Sequence, residues 1–260
     1  MSCEKAQLNK ETITAEDNAT AEIAFEDLSL AIDDNAEFIT DTASVDTTDS
    51  TAAACPTVSW DPEWVGLINF FKFPKTITID FGTGCEGRDG KIRKGIVRGT
   101  YSNWPWIAGA RLDIVPDAYF VDDYGIEGQK TITYRGENAS GNRNWDIDVT
   151  NGEVTTPEGN LLTWESNRNN ELIEGANDFD VWNNVYLITG SAEGTNRSGR
   201  NYDAIIKEGL RIEIGCNYIT SGILELTPED LKTRSIDYGD GACDNDATVA
   251  IGNASFNIKL

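Results

Sequence analysis

From residue 55 onward, apolar and polar positions alternate with period two. Thr76-Ile77-Thr78-Ile79-Asp80-Phe81 is the clearest run, and similar runs occupy 111–115, 130–134, 145–150, 161–164, 185–189, 202–206, 210–214, 218–226 and 248–260. Such alternation marks half-buried strands, with one face on a core and the other in water. Asp89-Gly90, Asn151-Gly152, Glu158-Gly159, Ser198-Gly199 and Gly252-Asn253 punctuate the runs with turn residues. Strands at intervals of about ten residues predict an all-β domain over 55–260, mainly an antiparallel sandwich or rolled sheet.

Upstream the period changes. Phe25, Leu28, Ile32, Ala36 and Ile39 recur at helical spacing and predict a short amphipathic helix over 20–39. Glu22, Glu26 and Asp27 then fall in its early turns, where negative charge suits the helix dipole. Residues 1–19 show no period and read as a flexible leader. Residues 40–54, TDTASVDTTDSTAAA, are small and polar and read as a linker.

One internal echo spans the domain. Ile79-Asp80-Phe81-Gly82-Thr83-Gly84-Cys85 recurs as Ile236-Asp237-Tyr238-Gly239-Asp240-Gly241-Ala242-Cys243. Copies so far apart are not a solenoid repeat. They predict two related halves or two corners with the same turn geometry.

Composition narrows the chemistry. The 260 residues carry 44 acidic against 21 basic side chains, a net charge of −23. That surface repels phosphate backbones, so nucleic acid is not an expected partner. There is no histidine, which removes Ser-His-Asp and Cys-His catalysis and His-ligated zinc or haem. Chemistry that needs only paired carboxylates remains open. No apolar run approaches the ~20 residues of a membrane-spanning helix.

The cysteines fall into two roles. Cys3 stands beside the N-terminus, while Cys55, Cys85, Cys216 and Cys243 flank the first and last strand blocks. Local pairing, Cys55 with Cys85 and Cys216 with Cys243, is the favoured reading; the rival joins the echoed corners through Cys85 and Cys243. Without histidine or a C-x-x-C spacing, these thiols are expected in disulfides, which implies an oxidising compartment.

Ser2-Cys3-Glu4-Lys5 looks like the mature start of a bacterial lipoprotein, with the lipid on Cys3 and the signal segment removed. The blocks FPKTITIDFGTGCEGRDGKIRKGIV (73–97) and IDYGDGACDNDATVAIGNASFNI (236–258), with the TWESNR and ITGSAEGTNRSG segments, resemble uncharacterised lipoproteins of Bacteroidota. The resemblance covers most of 55–260 and implies an outer-membrane, lipid-anchored protein. Asp41-Thr42-Ala43, Asp46-Thr47-Thr48 and Asp49-Ser50-Thr51 resemble the O-glycosylation signal of these bacteria and nominate Thr42, Thr47 and Ser50.

Three constellations could carry function. Asp237, Asp240, Asp244 and Asp246 surround a glycine turn and offer oxygens for Ca2+, without EF-hand spacing. Asp117, Asp122, Asp123 and Glu127 lie among Tyr119, Phe120 and Tyr124. Trp60, Trp64, Phe70, Phe71 and Phe73 precede Trp104-Pro105-Trp106, and exposed aromatics of this kind mark partner sites. The leading expectation is a non-enzymatic envelope lipoprotein, a binding or accessory subunit of an outer-membrane protein complex, without a cofactor. The alternative is a glycan-binding surface lipoprotein with Trp104, Trp106, Tyr119 and Tyr124 as its platform; a carboxylate-based glycoside hydrolase comes after it.

Overall fold

The structure, a computed structural model, describes residues 11–36, 55–63, 69, 71–176 and 180–260. Among the described residues one α-helix, α1 (Ile13–Asp33), precedes the strands β1 (Thr57–Asp61), β2 (Lys75–Asp80), β3 (Cys85–Glu86), β4 (Ile92–Tyr101) and β5 (Arg111–Val121). There follow β6 (Tyr124–Glu137), β7 (Arg143–Thr155), β8 (Leu161–Glu174), β9 (Val185–Thr195) and β10 (Asn201–Glu213). The chain ends with β11 (Ser221–Pro228), β12 (Arg234–Asp240), β13 (Asp246–Ile251) and β14 (Ala254–Lys259). The predicted all-β domain is one antiparallel sheet, 57% of the chain being strand. Apart from β3, which pairs only with β4, each strand pairs with the next along the chain, and the sheet is not closed. It is a rolled sheet rather than a sandwich.

The sheet rolls around α1. Residues of β4, β6 and β8, together with the β9–β10 turn, bond to this helix, and Arg234 of β12 bonds to Glu11 just before it. Inward positions of the strands supply Ile77, Ile79, Val97, Ile114, Ile126, Val154, Leu162, Ala204, Leu224, Leu226, Ile236 and Val249, all buried in one core with Phe25, Leu28 and Ile32. Phe25 stacks on Trp164 with ring centroids 5.4 Å apart. The fit is close: a Cβ on Gly152 would collide with the Trp164 carbonyl oxygen and stand 2.8 Å from Phe25 Cζ.

The helix begins earlier than predicted and ends earlier as well. Residues 13–19, read as part of a flexible leader, form its first two turns; of the predicted stretch 34–39, residues 34–36 lie beyond it and 37–39 are outside the described residues. The Glu11 carboxylate accepts the Thr14 backbone N–H at 2.6 Å and so meets one of the helix's unpaired first donors. Thr14, Asp17, Asn18 and Glu22 are buried, so the inward face of this half is polar or alanine and carries no hydrophobic stripe. Glu22, Glu26 and Asp27 therefore sit mid-helix, away from the positive end of the dipole.

Alternation also failed to mark β1, β3, β4 and β12, of which the last was touched only by the echo. In β4 the inward residue Arg93 is charged, which breaks the apolar period. For the same reason β8 runs ten residues beyond its predicted end at Trp164: its inward positions Ser166, Arg168 and Asn170 are polar. The runs 202–206 and 210–214 are one strand, β10, interrupted by a register shift between Ile205 and Leu210. The run 248–260 is a hairpin, β13 with β14, folded at Gly252-Asn253.

The echoed segments are two corners of one design. Asp80 Oδ1 accepts the Gly82 N–H at 2.7 Å and Asp237 Oδ1 accepts the Gly239 N–H at 2.9 Å, the same side-chain turn at the end of β2 and of β12. Gly82 (φ 54°) and Gly239 (φ 98°) both hold the left-handed backbone that glycine tolerates. The disulfides are the local ones, Cys55–Cys85 and Cys216–Cys243, each beside one corner.

On the outward face Glu193 of β9 lies directly opposite Glu165 of β8 and Asp203 of β10, all exposed. Like charges opposite each other destabilise a sheet. Glu193→Gln is expected to stabilise the fold by about 0.2–1 kcal/mol in urea unfolding, with the gain shrinking as salt is added.

Candidate functional site

The interior is an ion-paired interface between one acidic helix and the cations of the sheet. Arg168 of β8 grips Glu22 with two bonds, Nε to Oε1 at 3.1 Å and Nη2 to Oε2 at 2.5 Å. Arg93 of β4 grips Asp27 likewise, at 3.1 and 2.5 Å. Lys130 of β6 stands 3.2 Å from Glu26 and donates to the Phe25 carbonyl at 2.9 Å. Arg197, in the β9–β10 turn, gives its backbone N–H and its Nε to Asp17 at 2.7 and 2.6 Å. Arg234 of β12 donates to Glu11 at 3.2 Å. Paired, bidentate geometry is what makes burial of these charges tolerable.

Asp27 is the most heavily engaged of the acids. Besides Arg93 it accepts the Tyr119 hydroxyl at 2.6 Å, and Lys91 Nζ stands 3.9 Å away. Burial, reinforced by the Asp27 charge, raises the Tyr119 phenol well above its ordinary range, so it stays a donor. Burial works against the Arg93 charge, but bonds and charges from Asp89 and Asp27 outweigh it and raise the guanidinium above its ordinary value. Asp89 is buried too, which alone would raise it; hydrogen bonding and charge from Arg93, with the Lys91 N–H, hold its carboxyl below the ordinary 3.8.

Beside this network lies a cavity of about 340 Å³. α1 forms one wall through Ala19, Ile23 and Ala24; the β5–β6 turn gives Val121, Asp122 and Tyr124; Asn217, Tyr218, Ile219 and Leu260 complete it. A second, more open hollow of about 820 Å³ lies on the outward face and is lined by the Glu165, Glu193 and Asp203 row.

The sequence-predicted residues separate. Trp104 and Trp106 lie in the β4–β5 connection, whereas Tyr119 ends β5 and Tyr124 begins β6. The length of β5 sets the two pairs roughly 30 Å apart, so the four do not form one platform. Tyr119 is buried on Asp27, and only Tyr124 reaches the cavity. Trp104 stacks on Trp106 at 4.8 Å and meets Phe73 edge-on at 5.1 Å. Trp106 is 58% exposed and Phe71 64%. Trp64, Phe70, Cys3, Thr42, Thr47 and Ser50 lie outside the described residues.

The carboxylates proposed for Ca2+ do not converge: no group of three or more metal-ligating side chains occurs among the described residues. Asp237 and Asp244 each accept a backbone N–H two residues on, Asp246 pairs with Lys259, and all four side chains, Asp240 included, are on exposed residues. In the other acidic cluster Asp117 pairs with Arg98 at 2.9 Å, Asp123 with Lys94 at 2.7 Å, and Asp122 accepts the Ile92 N–H at 2.9 Å. Sequence reasoning missed Arg93, Lys130, Arg168, Arg197 and Arg234. For the four strand residues the available signal was a cation at an inward position of an otherwise alternating strand, as in Thr163-Trp164-Glu165-Ser166-Asn167-Arg168; Arg197, in a turn, carried none.

Glu22→Ala leaves Arg168 charged and unpaired in the interior, an expected loss of about 3–5 kcal/mol in urea unfolding; adding Arg168→Met recovers most of it. The depressed Asp89 carboxyl contributes stability that is complete above pH 3.8 and is lost as pH falls through its lower folded value. The stability gap between the wild type and Asp89→Asn is therefore expected to be widest above pH 3.8 and to close below it, as read from unfolding curves across that range.

Compared with protein-family models, with characterised proteins and with solved structures, the chain matches none.

Proposed function

We propose that this chain is a non-enzymatic, lipid-anchored protein of the bacterial envelope that serves as a binding or accessory subunit of an outer-membrane protein complex. Cys3 carries the lipid, Thr42, Thr47 and Ser50 carry glycans on the segment that joins α1 to β1 in the chain, and the docking surface is the aromatic cluster around Trp106. The exposure of that cluster is the observation that supports the reading. Trp106, Phe71 and Ile107 are 58%, 64% and 44% exposed, next to the Phe73–Trp104–Trp106 ring contacts. Large rings that keep much of their surface exposed are characteristic of protein contact surfaces.

Protein contact suits the cluster better than a sugar platform does. Trp104 and Trp106 stack at an interplanar angle of 22°, so each ring already spends one face on the other. A sugar ring needs such a face, while a protein partner can enclose the whole stack. The two disulfides and the absence of histidine accord with a structural and binding role in an oxidising compartment.

The test is photo-cross-linking in cells of the native host, with the chain made from its own complete gene. A cross-linker at position 106 is expected to give one discrete adduct in the membrane fraction, and none when placed at position 205, another exposed site. Cys3→Ser is expected to move the protein to the soluble fraction. A wild-type protein that is unacylated and soluble, or position-106 adducts no different from those at 205, would overturn the proposal.

A further inference from the structure

We propose that the cavity beside Asp27 is a binding site for a neutral hydroxylated ring, a single sugar unit. It is distinct from the Trp104–Trp106 surface and independent of the docking role assigned there. Its volume of about 340 Å³ falls in the range of small-molecule sites.

The walls are built before any ligand arrives. The Asp122 backbone donates to the Ile92 carbonyl at 2.9 Å while Asp122 Oδ1 accepts the Ile92 N–H at 2.9 Å, locking the β5–β6 turn to β4. The Leu260 N–H donates to the Asn245 carbonyl at 2.9 Å, and the Cys216–Cys243 disulfide braces the segment before Asn217. The α1 wall is fixed by the Asp27–Arg93 and Glu22–Arg168 pairs. A site already in its bound shape loses little entropy on binding.

The lining selects the ligand by its mixture of signs. Lys91 Nζ is 3.9 Å from Asp27 Oδ2, its closest carboxylate among the described residues and too far for a hydrogen bond. Its donors are thus available to the cavity. An anion drawn to Lys91 would also face the carboxylates of Glu16, Asp27 and Asp122. A cation would meet the Lys91 ammonium and find Asp27 already engaged by Arg93 and Tyr119. A neutral ring with several hydroxyls suits both: it accepts from Lys91 and the Asn217 amide and donates to Glu16 and Asp122. Tyr124, Tyr218, Ile23 and Ile219 give apolar surface for the C–H face of such a ring.

The experiment is saturation-transfer NMR on the full chain with glucose, galactose, mannose and N-acetylglucosamine. Glucuronate and glucosamine serve as charged rings of the same size, and isotope-labelled wild-type protein maps the contact. Binding of a neutral sugar, with shifts at Lys91, Tyr124 and Tyr218, is the expected result. Lys91→Met and Tyr218→Ala are each expected to weaken it at least about tenfold. Preference for glucuronate or glucosamine, shifts confined to Trp104 and Trp106, or no binding by any neutral sugar would each overturn the proposal. Because the wild-type map decides these outcomes, a variant that fails to fold does not shield the proposal.

Discussion

The rest of the molecule depends on placing an acidic helix inside a β-sheet. A carboxylate taken from water into a core costs several kcal/mol unless it is paired and hydrogen-bonded. α1 buries Asp17, Glu22 and Asp27 almost completely, so the sheet has to meet each with a cation at the right height. It does so from Arg197, Arg168 and Arg93, with Lys130 and Arg234 serving Glu26 and Glu11 at the flanks. Hydrophobic contact alone would let a helix of mostly alanine core positions slide or rotate, because such contact is non-directional. Bidentate ion pairs allow one rotation and one depth. The pairs thus specify how the sheet curls more than they add to its stability.

That constraint organises what lies around it. With α1 fixed along the interior, the β5–β6 turn, the Asn217–Ile219 segment and Leu260 come to stand around its side and enclose a cavity, although they are far apart in the chain. The far end of β5 carries the opposite kind of surface, an aromatic cluster open to water. The Cys216–Cys243 disulfide stands next to the cavity residue Asn217. Each disulfide stands beside a glycine-turned corner, at β2 and at β12.

A net charge of −23 also takes on a structural meaning. The acidic excess is not merely a solvated coat, since part of it is turned inward and neutralised. Several of the 21 basic residues are consumed in that task, and those outside form scattered surface pairs such as Arg98–Asp117 and Lys94–Asp123. The outward face is left with unopposed acids, among them the Glu165–Glu193–Asp203 row.

The sequence by itself determined whatever depends on neighbours in the chain. Period-two alternation marked the apolar parts of most strands, turn residues marked many of the hairpins, and the spacing of Cys55, Cys85, Cys216 and Cys243 pointed to the local disulfides. The Asp80 and Asp237 corners were legible as an echo because each turn is made by residues two apart. Tertiary structure decided the rest. The first turns of α1, the start of β4 at Arg93 and the second half of β8 were illegible because their inward residues are charged or polar, and such a residue reads as outward until its partner is known. Arg168 has no reason to face a core until Glu22, 146 residues away, stands opposite it. The separation of Tyr119 and Tyr124 from Trp104 and Trp106, and the meeting of Tyr124 with Tyr218 around one cavity, follow from how far the sheet rolls. That curvature is set by long-range ion pairs, which no local pattern of residues records.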